Sequence, residues 1–173
     1  IFFGGDLFDR LLSLNQIDVP QILEWAGHFI AMCERNNIHV VFLEGTPSHD
    51  WKSSIYFTFI NESAAIGAKV RYISTLSIEY SERLGNVLFI PDEWPVGPDE
   101  TWRQVQQLLA EKNLTQVDYS VIHGSFTHQL PSHVKSPMHV PDRYLSITRK
   151  YVLVGHVHKP SQHKDRLLTN GSY

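Results

Sequence analysis

The stretch Tyr151-Val152-Leu153-Val154-Gly155-His156-Val157-His158 joins an apolar run to a glycine and a pair of histidines. Tyr151 to Val154, short and rich in β-branched and aromatic types, reads as a buried strand. Gly155 permits a tight turn, and the histidines fall just past the strand's C-terminal end. The same design recurs upstream. Ile1 to Phe3 reads as the end of a buried strand and runs into Gly4-Gly5-Asp6-Leu7-Phe8-Asp9. Ile38 to Leu43 reads as a strand that exits through Glu44-Gly45-Thr46-Pro47-Ser48-His49-Asp50, and Val117 to Ile122 as one that ends at His123-Gly124-Ser125-Phe126. Asp6, His49 with Asp50, His123, and His156 with His158 therefore all stand at strand exits, which in layered α/β proteins converge on a site.

The intervening segments supply helices. Val19 to Asn36 carries Ile22, Leu23, Ala26, Phe29, Ile30 and Cys33 at helical spacing, with Asp18 placed as N-cap and Pro20 in the first turn. Ser54 to Ala68 is predicted helical, Lys69 to Ser74 a strand, and Ile78 to Ile90 a hairpin turning at Ser81 to Gly85. Pro91 to Asp99 reads as a loop. Thr101 to Asn113 reads as a helix with Val105, Leu108 and Leu109 inward, and Thr127 to Asp142 as an irregular excursion. Arg143 to Thr148 reads as a short helical turn and Arg166 to Thr169 as a last strand. Strands and helices in this order predict an α/β fold with mixed sheets, residues 1–173 forming a single domain.

Composition excludes several classes. A net charge of -3 over 173 residues gives no global attraction for nucleic acid. No apolar run is long enough to span a bilayer, so no membrane association is expected. Cys33 is the only cysteine, which rules out an internal disulfide and suits a reducing, cytoplasmic compartment. Ten histidines is a high count. His28, in a helical pattern, and His39, at a strand start, read as ordinary positions, while most of the others gather in loops.

Carboxylates and imidazoles together suit manganese, iron or zinc better than calcium or magnesium. In an extended segment His156 and His158 would point to one face and reach a metal pair. Each piece alone is weak, since an aspartate after a strand is common in turns. Ser125 makes a poor nucleophile, because no G-x-S-x-G elbow surrounds it.

Taken together, Gly5-Asp6-Leu7-Phe8-Asp9, Gly45 with His49-Asp50, His123-Gly124 and Gly155-His156-Val157-His158 resemble the calcineurin-like metallophosphoesterases. Asn170-Gly171-Ser172-Tyr173 resembles a segment of that family's SbcD-type nuclease branch. The resemblance implies a four-layer α-β-β-α sandwich of mixed β-sheets. It implies two divalent metal ions, manganese first, with iron, zinc or magnesium as the other candidates. Asp6 would bridge them, His123 and His156 would bind one, and His158 the other. His49, oriented by Asp50, would stabilise developing charge and assist the leaving group, with a metal-bound hydroxide as nucleophile.

The chain departs from the family pattern twice. The family's Asp-x-His motif has no counterpart before Asp6, so the fold is expected to be incomplete at the N-terminus and the chain part of a longer one. The family's Gly-Asn-His-Asp loop is here two residues longer, so Ser48, Thr46 or a water would replace the asparagine ligand, with Ser48, just before His49, placed there first. The function expected from the resemblance is a DNA exo- or endonuclease in recombination or repair, with an ATPase partner subunit or a homodimer. Lys159 beside the site, with Lys135, Arg143, Arg149, Lys150 and Lys164, would meet the DNA backbone. The alternatives are a phosphatase or small-molecule phosphodiesterase, and a catalytically inactive scaffold subunit.

Overall fold

The computed structural model describes residues 1–13, 15–92, 96–131, 133–134, 136–170. The chain is α/β with two sheets. A 3-stranded parallel sheet has the order β1 (Phe2–Phe3), β2 (Val40–Leu43), β3 (Val70–Ile73). Its crossovers carry α1 (Val19–Arg35) and α2 (Ile55–Ser63). A 6-stranded mixed sheet begins with the hairpin β4 (Ser77–Ser81) and β5 (Gly85–Ile90). Past β5 it continues through β6 (Val117–His123), β7 (Thr148–Gly155) and β9 (Leu167–Thr169), all parallel, with β8 (Ser161–His163) antiparallel at the far edge. α3 (Pro98–Glu111) and α4 (Pro141–Ile147) belong to this second half. Among the described residues no helix is long and apolar enough to cross a membrane.

The period-two alternation of the strands sorts their side chains into separate clusters. Val40 and Phe42 of β2 pack with Ala26, Ile30, Cys33 and Phe57 of the first two helices. Leu43 of the same strand joins Ile73, Val87, Phe89 and Val121, so this cluster draws on both sheets. Leu88, Ile90 and Ile122 turn the other way, onto Val105, Leu109 and Tyr144 of the later helices.

Most predicted elements are present with shifted ends. Asp18 occupies the N-cap position of α1 but makes no side-chain cap bond, because its carboxylate pairs instead with Arg10 at 3.0 Å. The helix predicted to Ala68 stops at Ser63. The Asn61 amide accepts from Ala68 N and donates to Ala68 O, both at 2.9 Å, and Ala65 and Gly67 adopt positive φ, closing a turn there. β8 was not predicted. Its hairpin turns on Lys164 and Asp165, both at positive φ, a pair without the Asn-Gly signature of such turns. Gly171, Ser172 and Tyr173 of the terminal motif, together with Lys135, lie outside the described residues.

Phe42 is fully buried between Phe3, stacked at 4.7 Å, and Phe57, stacked at 4.1 Å. Phe42→Ala should lower stability by about 3–5 kcal/mol, read as a fall in the urea midpoint at unchanged slope.

Candidate metal centre

β1 is followed directly by Gly4 and Gly5, which bring the chain to Asp6. The ends of β1 and β7 touch backbone to backbone. A methyl group on Gly155 would strike the Gly4 carbonyl oxygen, and one on Gly4 would lie 3.2 Å from the Gly155 Cα. The β6–β7 register sets His123 beside Gly155, so His156 follows next to it. Gly5, at φ 88°, leaves room for the His123 ring, and a methyl on Gly45 would lie 2.7 Å from Asp6 Oδ1. Asp6 (φ 52°) and His156 (φ 85°) both hold left-handed backbone conformations, uncommon outside glycine although aspartate and histidine adopt them more readily than most residues. Strain of this kind persists where surrounding structure enforces it, and functional sites are enriched in it.

The result is a compact set of donors. Asp6 Oδ2 lies 3.4 Å from His123 Nε2 and 3.5 Å from His156 Nδ1. Ligand atoms of these residues all fall within 4.8 Å of one another. His123 Nδ1 meets the Gly4 carbonyl oxygen at 2.6 Å. With Nδ1–H donating there, Nε2 is the nitrogen that faces Asp6: protonated, it donates to Oδ2, and deprotonated, it offers its lone pair to a metal, the orientation usual for metal-binding histidines. Thr46 Oγ1 lies 3.2 Å from Asp6 Oδ2, 3.1 Å from His123 Nε2 and 3.3 Å from His156 Nδ1. Thr46 N donates to Asp6 Oδ1 at 2.7 Å.

The electrostatics favour an ionised carboxylate. Burial opposes ionisation of Asp6, but hydrogen bonds from His123 and His156, the charge of His123 and the Thr46 amide outweigh it and hold the group far below the usual carboxylate range. Burial likewise opposes a charged His123. Its contact with Asp6, aided by Gly4 and the charge of Asp92, nevertheless raises it.

Other expected residues fall elsewhere. His156 turns left-handed and does not continue the extended strand, so the period-two expectation for His158 does not apply there. His158 is exposed and outside the compact donor set, yet it lines a cleft of about 220 Å³ together with Asp6, His156 and Asn170. Asp9 is also exposed. Ser48 is exposed and outside the donor set, whose loop member is Thr46. His49 lies half-buried in a turn whose His49 and Asp50 amides both donate to Thr46 O. No hydrogen bond joins the Asp50 carboxylate to His49 among the described residues. The Asp50 carboxylate is fully buried, Oδ1 accepts from Phe8 N at 3.2 Å, and Oδ2 has no hydrogen-bond partner among the described residues. Burial pushes this carboxyl up, against the opposing pull of the Leu7 and Phe8 amides. The expected basic patch is largely paired off. Arg143 meets Asp99 at 2.5 Å, Lys164 meets Asp142 at 2.6 Å, Arg149 meets Asp118 at 3.7 Å, and Lys150 lies over the Tyr119 ring. Lys159 is exposed.

Sequence reading missed the Gly4 carbonyl as the partner of His123 and the influence of Asp92. Neither carries a motif. No family model matches the chain, and no curated protein matches it.

Gly155→Ala should force β1 and β7 apart and weaken zinc binding about tenfold or more, measured by calorimetry. The control is Gly27 in α1, where an added methyl has its nearest neighbour at 3.8 Å. Gly27→Ala should leave zinc binding unchanged and add about 0.5–1 kcal/mol of stability.

Proposed function

We propose that this chain is a metal-dependent phosphoesterase of the calcineurin-like type, its two sheets face to face with helices outside in four layers. The observation that carries the reading is the convergence of Asp6, His123 and His156 at the exits of strands from both sheets, with the His123 tautomer set by Gly4. These residues fit one divalent ion: a carboxylate held ionised and imidazole nitrogens aimed at it. A second ion would draw on His158, which lines a cleft with Asp6 and His156 but is not part of the compact donor set. When bound, the ion polarises a phosphoryl oxygen as a Lewis acid.

Hydrolysis adds water across the P–O bond, its oxygen joining phosphorus as the leaving oxygen departs with a proton, and the chain's own groups assist. Asp6 offsets part of the ion's charge. His49, on the adjoining turn, is assigned the proton delivered to the leaving oxygen. A cavity of about 530 Å³ beside Thr46 and His156, lined also by Ser48, Ser125 and Pro137, would receive the ester. That volume suits a compact ligand.

The nuclease reading rests on the resemblance and on exposed Lys159. A small phosphate ester is the second reading, favoured by the cavity's size and by the pairing of Arg143, Lys164 and Arg149 with aspartates. Hydrolysis of bis(p-nitrophenyl) phosphate with added manganese, and its loss with EDTA, tests the activity. Under the nuclease reading DNA is cleaved as well, with a steep fall in binding as salt rises. Bound metal with neither substrate turned over would favour the scaffold alternative.

His49→Ala should reduce turnover about a hundredfold with metal content retained. Loss of metal along with activity would make His49 a ligand instead.

A further inference from the structure

We infer that the Thr46 hydroxyl is the fourth protein donor to the ion held by Asp6, His123 and His156. This rests on the metal-binding part of the function proposed above and decides, on geometry, among Thr46, Ser48 and water at the ligand position the sequence left open.

The geometry is specific. Thr46 Oγ1 stands 3.1–3.3 Å from one donor atom of each of the other residues, and Asp6 Oδ2 stands 3.4 and 3.5 Å from the histidine nitrogens. Donors about 2.0–2.2 Å from a shared ion lie about 2.8–3.6 Å apart, for right-angled through tetrahedral arrangements. The hydroxyl thus sits at ligand spacing from all its neighbours at once.

The backbone that carries it is held on both sides. Thr46 N donates to Asp6 Oδ1 at 2.7 Å, and Thr46 O receives the His49 and Asp50 amides at 2.9 and 3.0 Å. The loop is closed from outside by Glu44, whose carboxylate accepts Lys52 N at 2.8 Å and the Tyr72 hydroxyl. Ser48, the hydroxyl nearer to His49 in sequence, is exposed and outside this cage. A neutral alcohol beside one carboxylate and neutral imidazoles leaves a divalent ion with net positive charge, suited to binding a phosphate oxygen.

The test measures zinc affinity by competition with a chromophoric chelator in the wild type, Thr46→Val and Thr46→Ser. Valine keeps the shape and removes the oxygen. The expected result is a loss of at least about tenfold for valine and less than about threefold for serine. Wild-type affinity in the valine variant would overturn the assignment while leaving the metal site intact. Failure of the wild type to hold zinc would instead overturn the proposed function along with it. The anomalous signal of zinc in crystals of the wild type gives an answer that needs no variant. An ion within about 2.3 Å of Thr46 Oγ1 supports the assignment, and one more than about 3 Å away overturns it.

Discussion

The Gly4 carbonyl oxygen packs against Gly155, leaving no space for a side chain at Gly155 and only a tight fit for one at Gly4. That contact ties the exit of β1 in the smaller sheet to the exit of β7 in the larger. Every donor is placed relative to it. Asp6 follows Gly4 by a short, left-handed step, His156 follows Gly155 directly, and His123 lies beside Gly155 in register. The same Gly4 carbonyl orients the His123 ring. A methyl group here would move strand ends that carry donors, so the glycines serve approach distance more than flexibility.

Around that seam the polar groups are arranged in depth. His123 is fully buried and the Asp6 side chain is 8% exposed, so their mutual attraction acts with little screening by water. Such a pair gains only if its remaining atoms are satisfied. Asp6 meets this condition through the amide and hydroxyl of Thr46, and His123 through Gly4. Asp50 works one layer back. By accepting Phe8 N it supports the loop that presents Asp6, and it does not reach His49. Glu44 closes the other side, bonded to Tyr72 and to the Lys52 amide, so that the 44–52 loop is fastened at both ends. Burial and then the Glu44 contact raise the Tyr72 phenol well above its ordinary range, which keeps it a hydrogen-bond donor.

The surroundings narrow what such a centre could engage. His156 is more exposed than the other donors and faces the cavity that Ser125 and Pro137 help to line. Exposed ion pairs such as Arg143–Asp99 and Lys164–Asp142 contribute little stability, yet each offsets a cation that would otherwise attract a phosphate backbone.

Local pattern determined much of this protein. The apolar runs, the helical spacing of Ile22 to Cys33 and the glycines at strand exits specified an α/β chain and put Asp6, His123 and His156 among the candidates, because strand period and turn chemistry are properties of neighbouring residues. Only the tertiary structure decided which candidates meet. Spacing two in Gly155-His156-Val157-His158 promised a shared face on the premise of extended backbone, and the left-handed turn at His156, just past the contact with Gly4, removes that premise. Among hydroxyls near His49, sequence proximity pointed to Ser48, and the fold presented Thr46, because the amide of that residue is captured by a carboxylate arriving from β1. The expected pairing of Asp50 with His49 gave way to Phe8 for the same reason. A side chain's partner in a buried site is set by which strands lie side by side, and strand order is not written in any local stretch of the chain.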